Sequence, residues 1–320
     1  MTCSIAIVGA GAIGSWLGDA FDRAGWRVSM VARGATLEAL RRSGLRVARD
    51  NEIRSSHPRA GSPAEMGLHD FVALTVKAQL LPELAPRLSP LIGPATVLIS
   101  ATNGIPWWFF QDFGGPLDNA TLDSVDRGGL QQQIFPKDRT LGAVVHASVR
   151  AISPGYSQVV AADRLILGAP NGLSSPQLEA VVHALRQGGI NALTSNHIRG
   201  EVWSKLWGNM TINPLSALTR SGTGKLLAST EVRELCTRMM EEMQLCAQQL
   251  NLNLAMSAAE RLGVALRLGD FKTSMLADIE AGRPLELEPQ LGAVVEIAHR
   301  LNVPTPLLRM VLALTRLISA

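Results

Sequence analysis

The chain reads as a doubly wound α/β domain followed by an all-helical one. Three observations carry that reading. Short apolar runs alternate with helical spacings up to residue 197, the pattern of a parallel sheet covered by helices. From residue 198 strand-like runs vanish and long helical periods take over. At 320 residues the chain also exceeds the usual size of one hydrophobic core. The expected domains are therefore 1–197 and 198–320.

The elements follow in order. Ile5 to Val8 is a short apolar run that ends in glycine, as a buried parallel strand does. Ile13, Trp16, Leu17, Ala20 and Phe21 then recur at helical spacing, Gly25 closes that helix, and Val28 to Ala32 forms a second strand. "DFVALTV" (70–76) and "ATVLISAT" (95–102) are further strands, and "LLPELAPRLSPLIG" between them is helical with proline punctuation. A less regular region from about 115 to 170 holds "TLGAVVHASVRA" and "SQVVAADRLILG", read as strands that extend the sheet. "SSPQLEAVVHALRQGG" is a helix with serine or Ser-Pro at its start. In the second domain "EVRELCTRMMEEMQLCAQQL" and "QLGAVVEIAHRLNV" are amphipathic helices.

Composition narrows the function. The chain is 47% hydrophobic and 18% charged, as a folded globular protein is. A net charge of +3 spread over scattered basic residues gives no nucleic-acid footprint and suits a small anionic ligand. Cys3, Cys236 and Cys246 form neither a disulfide framework nor a metal-ligand spacing, and the six histidines never pair at one. No metal is expected, and a reducing, cytoplasmic compartment is the simplest inference. The apolar N-terminus lacks a basic leader and is broken by glycines, and no stretch reaches the ~20 apolar residues that span a bilayer. No membrane partner is expected.

Gly9-x-Gly11-x-x-Gly14 follows a strand and opens a helix, the context in which this motif signals a dinucleotide. The first glycine permits the tight turn, the second lets backbone approach a pyrophosphate, and the third lets helix and strand pack closely. Ala12 and Ile13 complete the helix N-terminus that receives the phosphates. The first domain is thus of Rossmann type. At the end of the second strand, where an NAD site normally carries an acid for the ribose 2′-hydroxyl, "VAR" places Arg33. A guanidinium can hold a 2′-phosphate in a fork, so NADP (NADPH) is the expected cofactor.

Reduction of a carbonyl needs a proton donor for the new alkoxide. Lys77, in "LTVKAQ", and Asn103, before Gly104, each follow the C-terminal end of a strand, where open α/β sheets bind ligands. In "WSKLWGNMTINPLSAL" (203–218), Lys205, Asn209 and Asn213 fall within roughly 80° on a helix and form a polar stripe. Trp203, Leu206, Trp207 and Met210 form an apolar face beside it. Asparagine is a poor helix former. Two readings stand: an exposed flank near a helix end, with Pro214 following directly, or the polar wall of a ligand cleft.

These segments, with "TNGI", "TSMLADIEAGRPLELE" and "VPTP", resemble the ketopantoate reductase (2-dehydropantoate 2-reductase) family over nearly the whole chain. The resemblance implies a Rossmann domain with a helical domain of the 6-phosphogluconate dehydrogenase type. It implies reduction of 2-dehydropantoate to (R)-pantoate with NADPH, toward pantothenate and coenzyme A. It makes Lys205 the general acid, and Glu286 a carboxylate that holds a substrate hydroxyl or Lys205 itself. Asn103, Asn209, Asn213 and Ser274 become substrate contacts, and Lys77 and again Asn103 residues at the nicotinamide end. The chain departs from the family at Thr223, Leu291 and Leu308, where asparagine is common. Those changes are expected to strip amides from near the cleft and to weaken ketopantoate against acids without its hydroxyl. A reductase of another 2-oxo acid and a non-catalytic NADP sensor are the other readings. The retained Lys205 and Glu286 weigh against the sensor. Trp107 to Phe110 reads as a hydrophobic plug, a dimer contact or a pocket wall, and "LLRMVLALTRLISA" as a surface for a homodimer.

Overall fold

The computed structural model describes residues 2–319 apart from 51, 253 and 255. The chain divides into two units, Met1–Thr102 with Gly129–Ile198, and Asn103–Gly128 with Arg199–Ala320. The expected division after residue 197 differs from this by one segment: residues 103–128 join the helical unit.

The first unit is built on one sheet. Its strands are β1 (Ser4–Val8), β2 (Arg27–Val31), β3 (Leu45–Arg49), β4 (Glu52–Ser56), β5 (Arg59–Gly61), β6 (Phe71–Leu74), β7 (Val97–Ser100), β8 (Thr140–Ser153), β9 (Tyr156–Gly168) and β10 (Ala192–Thr194). They lie in the order β4-β3-β9-β8-β7-β6-β1-β2-β5, with β10 beside β9. From β5 through β8 every pairing is parallel, the doubly wound core that the alternating pattern implies. The β8–β9 pair is a long antiparallel hairpin whose register shifts beyond His146, Ser148 and Ala151. Such irregularities bend and twist a strand. The start of β9 pairs with β3 and its end with β10, so one strand serves two neighbours.

Burial explains these elements. Ile5 and Ile7 of β1 are fully buried, and Trp16, Leu17, Ala20 and Phe21 of helix Ala12–Arg23 pack in the same core. Leu178, Val181, Val182 and Leu185 of helix Pro176–Gln187 join them. Ser175 caps that helix by accepting from the Leu178 amide at 3.1 Å.

The second unit is helical. Helix Ile198–Thr219 buries Trp203, Trp207 and Met210 completely, and the Trp207 indole donates to the Met240 carbonyl at 2.8 Å. That carbonyl belongs to helix Thr230–Gln249, which contributes Met239, Met240 and Met243 to the core. The helix does not stop at Pro214 but runs on to Thr219, so Asn209 and Asn213 lie in its interior. Trp107, Trp108, Phe109 and Phe110 are all buried, with the Phe109 ring 6.1 Å from that of Trp203. The Arg199 side chain donates to the Phe109 carbonyl at 2.7 Å. The aromatic run is therefore a plug in the helical core, and its burial removes the Trp pair as a dimer contact. In helix Pro306–Ser319, Met310, Leu314 and Leu317 stay exposed. Among the described residues no helix is long and apolar enough to cross a membrane.

Candidate active site

Each unit carries one half of the expected machinery. In the first, the turn after β1 is forced by its glycines. Gly9 has φ of +103°, and a Cβ there would lie 2.7 Å from Val76 Cγ1. A Cβ on Gly14 would lie 1.9 Å from the Gly9 carbonyl oxygen and 2.6 Å from Thr75 Oγ1. Gly11 differs: its Cβ position has nothing within 4 Å. Gly11 caps helix Ala12–Arg23 without a side-chain hydrogen bond, and the first turn holds no acid. The amides of Ala12, Ile13 and Gly14 thus precede the first helical bond with no side-chain acceptor. Open ground over free amides at a helix N-terminus fits a pyrophosphate.

Thr75 supports this turn and was not singled out from sequence. Its hydroxyl donates to the carbonyls of Val8 and Gly9, at 3.0 and 2.7 Å. Gly14→Ala is expected to destabilise the unit by about 1–3 kcal/mol through overpacking against that carbonyl. The chemical-denaturation midpoint measures it, and an unchanged midpoint would show that the turn yields. Arg33 follows β2 as the cap of helix Gly34–Ser43. It is exposed, and among the described residues its guanidinium has no hydrogen bond or ion pair. Lys77 follows β6 and is half-buried at the start of a short 3-10 turn.

In the second unit, Lys205 Nζ donates to Asn103 Oδ1 at 2.7 Å. Asn103 Nδ2 in turn faces Glu286 Oε2 at 3.4 Å, a long contact. One carboxamide therefore links the ammonium to the carboxylate, its oxygen toward the cation and its nitrogen toward the anion. Burial pulls the Lys205 pKa down to about 8, and the Glu286 carboxylate opposes that fall. Gly104 makes the link possible. Its φ is +88°, and a Cβ there would lie 2.3 Å from the Pro289 carbonyl oxygen. The Ile105 amide donates to that same oxygen at 2.8 Å, which fixes residues 103–105 to the chain just after Glu286.

Asn209 and Asn213 follow Lys205 along one helix face. Asn213 is buried and Asn209 half-buried, yet among the described residues neither carboxamide has a hydrogen-bond partner. Polar groups at such positions normally find partners. Ser274 is placed less favourably. It is exposed as the first residue of helix Ser274–Glu280, and Thr273 is the cap, accepting from the Leu276 amide.

The three departures prove to be structural. The Thr223 hydroxyl donates to the Gly269 carbonyl at 2.9 Å and accepts from the Phe271 amide at 2.8 Å. Leu291 and Leu308 are fully buried. All three fill the core rather than a cleft wall, which corrects the expectation that they strip amides from the substrate. A separate groove of about 1030 Å³ in this unit, lined in part by Arg127, Glu296, His299 and Arg309, includes none of Lys205, Asn103 or Glu286. Among the described residues no group of three or more His, Cys, Asp or Glu could hold a metal.

Comparison with known proteins gives the family. Residues 5–106 match the model for ketopantoate reductase PanE/ApbA, and residues 197–319 the model for its C-terminal part. The chain is 38% identical to a 2-dehydropantoate 2-reductase of Mesorhizobium japonicum, covering 98% of this chain and 96% of that one. A solved candidate ketopantoate reductase from Ralstonia solanacearum MolK2 superposes with a TM-score of 0.94 at 38% identity, over 99% of this chain and 98% of that one. A D-mandelate dehydrogenase solved with NADH and anilino(oxo)acetate shares the fold, with a TM-score of 0.84 at 19% identity over 99% and 98% of the two chains. With its glycine turn, its lysine–asparagine–glutamate link and these matches along both units, the chain belongs to the ketopantoate reductase PanE/ApbA family of oxidoreductases.

Proposed function

We propose that the protein reduces 2-dehydropantoate (ketopantoate) to (R)-pantoate with NADPH, a step toward pantothenate and coenzyme A. The observation that carries this reading is the Lys205–Asn103–Glu286 link beside the unpartnered amides of Asn209 and Asn213. NADPH, when bound, supplies the hydride. The chain's own residues do the rest. Lys205, at a pKa of about 8, is mostly protonated near neutrality and releases a proton far more readily than an ordinary lysine. Its ammonium also attracts the developing oxyanion. Asn103 holds that ammonium in one position through its 2.7 Å bond. Asn209 and Asn213 orient the substrate's carboxylate and hydroxyl, and Glu286 accepts from the hydroxyl.

The test is turnover by the purified protein, followed by NADPH consumption, with ketopantoate and with 2-oxoisovalerate, which lacks the hydroxyl. A buried hydroxyl left unpaired costs about 1–3 kcal/mol, so a site with partners for it should favour ketopantoate in kcat/KM by about tenfold or more. With Thr223, Leu291 and Leu308 in the core, none of the three takes an amide from the proposed site, and this preference is the expected result. A preference for 2-oxoisovalerate would instead identify a reductase of another 2-oxo acid. Binding of NADPH with no turnover of any acid would identify a sensor.

A further inference from the structure

We propose that Arg261 anchors the substrate carboxylate, its guanidinium held for that purpose against the glycine at position 208, one turn along from Lys205. This rests on the reading of the site as one for 2-oxo acids, and it names the residue that recognises the acid.

The evidence begins at Gly208. This residue lies inside helix Ile198–Thr219, where glycine is unfavourable by about 1 kcal/mol relative to alanine. Its φ is not positive, so no turn requires it. What requires it is a neighbour: a Cβ at 208 would lie 2.2 Å from Arg261 Nη2 and 2.8 Å from Cζ. The missing side chain is thus the seat of a guanidinium from helix Ala258–Arg267.

That guanidinium has nothing to neutralise it. Among the described residues Arg261 makes no side-chain hydrogen bond and no ion pair. Burial alone lowers its pKa, with no acid opposing the fall. Desolvating a cation without a counter-ion is costly unless something else offsets it. The position suggests what does. At 100° per residue, Gly208 lies about 60° from Lys205 around the helix, and Asn209 about 40° from Lys205 on the other side. Lys205 therefore sits between the Arg261 seat and the unpartnered Asn209 amide. Two cations, Lys205 and Arg261, share this face with Glu286 as the acid linked to Lys205. A carboxylate bound in the Arg261 fork would offset that buried charge. Arginine suits the task, since its planar fork matches a carboxylate in a way that an ammonium does not.

The experiment compares wild type with Arg261→Gln, Arg261→Lys and Gly208→Ala. The substrates are ketopantoate and its neutral lactone, which keeps the carbonyl and lacks the carboxylate. Arg261→Gln is expected to raise KM for the acid by about ten- to a hundredfold, the range for a lost charge-assisted bond. It should leave kcat within a few-fold and the lactone unaffected. Arg261→Lys should recover part of the loss. Gly208→Ala should fold at least as stably as wild type, because the group it displaces is the end of a flexible side chain, and yet raise KM for the acid. Unchanged KM for the acid in Arg261→Gln overturns the anchor and leaves the reductase reading standing. So does an equal loss on acid and lactone, the sign of a merely structural role. If wild type turns over no 2-oxo acid, the reductase reading fails, and the melting temperature with oxamate decides the anchor separately. Oxamate should then stabilise wild type and not Arg261→Gln, and equal stabilisation of both overturns the proposal.

Discussion

Lys205→Ala is expected to lower kcat by about 10²–10⁴-fold while the protein still binds NADPH, the loss typical of removing a positioned general acid. The prediction follows from the bond of the ammonium to Asn103 and from its pKa near 8. The pH profile gives the same role a sign. The proton donor is the charged ammonium, so wild-type kcat should fall as pH rises through about 8. Glu286→Gln removes the charge that holds the Lys205 pKa up, so the descending limb should move to lower pH. Single-turnover rates across that range, with NADPH binding followed by fluorescence, make the measurement. A Lys205→Ala enzyme that retained a large share of kcat and the same alkaline limb would assign the proton to Lys77 or to water.

Arg33→Ala is expected to weaken NADPH binding by about 10- to 100-fold and to leave NADH nearly unchanged. The range corresponds to the roughly 1.5–3 kcal/mol of a hydrogen bond to a charged group. Arg33 stands exposed just after β2 with no hydrogen-bond or ion-pair partner among the described residues, so its loss removes little besides the proposed 2′-phosphate contact. Titration of both cofactors onto both proteins decides it. Equal losses for NADPH and NADH would show that Arg33 supports the loop rather than reads the phosphate.

Periodicity and glycine chemistry made most of the first unit legible. β1, β2, β6 and β7 are short, mostly apolar and mostly buried runs, and the glycine turn lies where its motif places it. The hairpin of β3 and β4 was not legible, because "EIRSS" of β4 is polar and mostly exposed and carries no core-facing alternation. The candidate site is legible in its spacing where it lies on one helix: Lys205, Asn209 and Asn213 keep that spacing whatever the fold does around them. Its long-range part was not. Nothing in the spacing of Asn103, Lys205 and Glu286 shows that one carboxamide joins the other two. Pro214 misleads for a physical reason, since proline usually ends a helix, and here the helix runs on past it with Leu215, Ser216 and Ala217 buried. Thr223 reads in sequence as a lost substrate contact, whereas in the structure backbone groups near residue 270 claim its hydroxyl.

The affiliation of residues 103–128 with the helical unit has a consequence for how the protein can be made. During synthesis Trp107 to Phe110 leave the ribosome well before Arg199 and Trp203, the residues that cover them. Until those partners emerge, the nascent chain carries an uncovered aromatic cluster, the kind of transient surface that chaperones bind and aggregates share. The same dependence governs dissection. A fragment cut after residue 197 would retain the cluster without its cover, and the complementary fragment would have a hole where the plug belongs. Expression of either half alone should therefore give insoluble material, whereas a break on the surface of one unit, in the exposed turn around Gly172, leaves both cores their full complement of side chains.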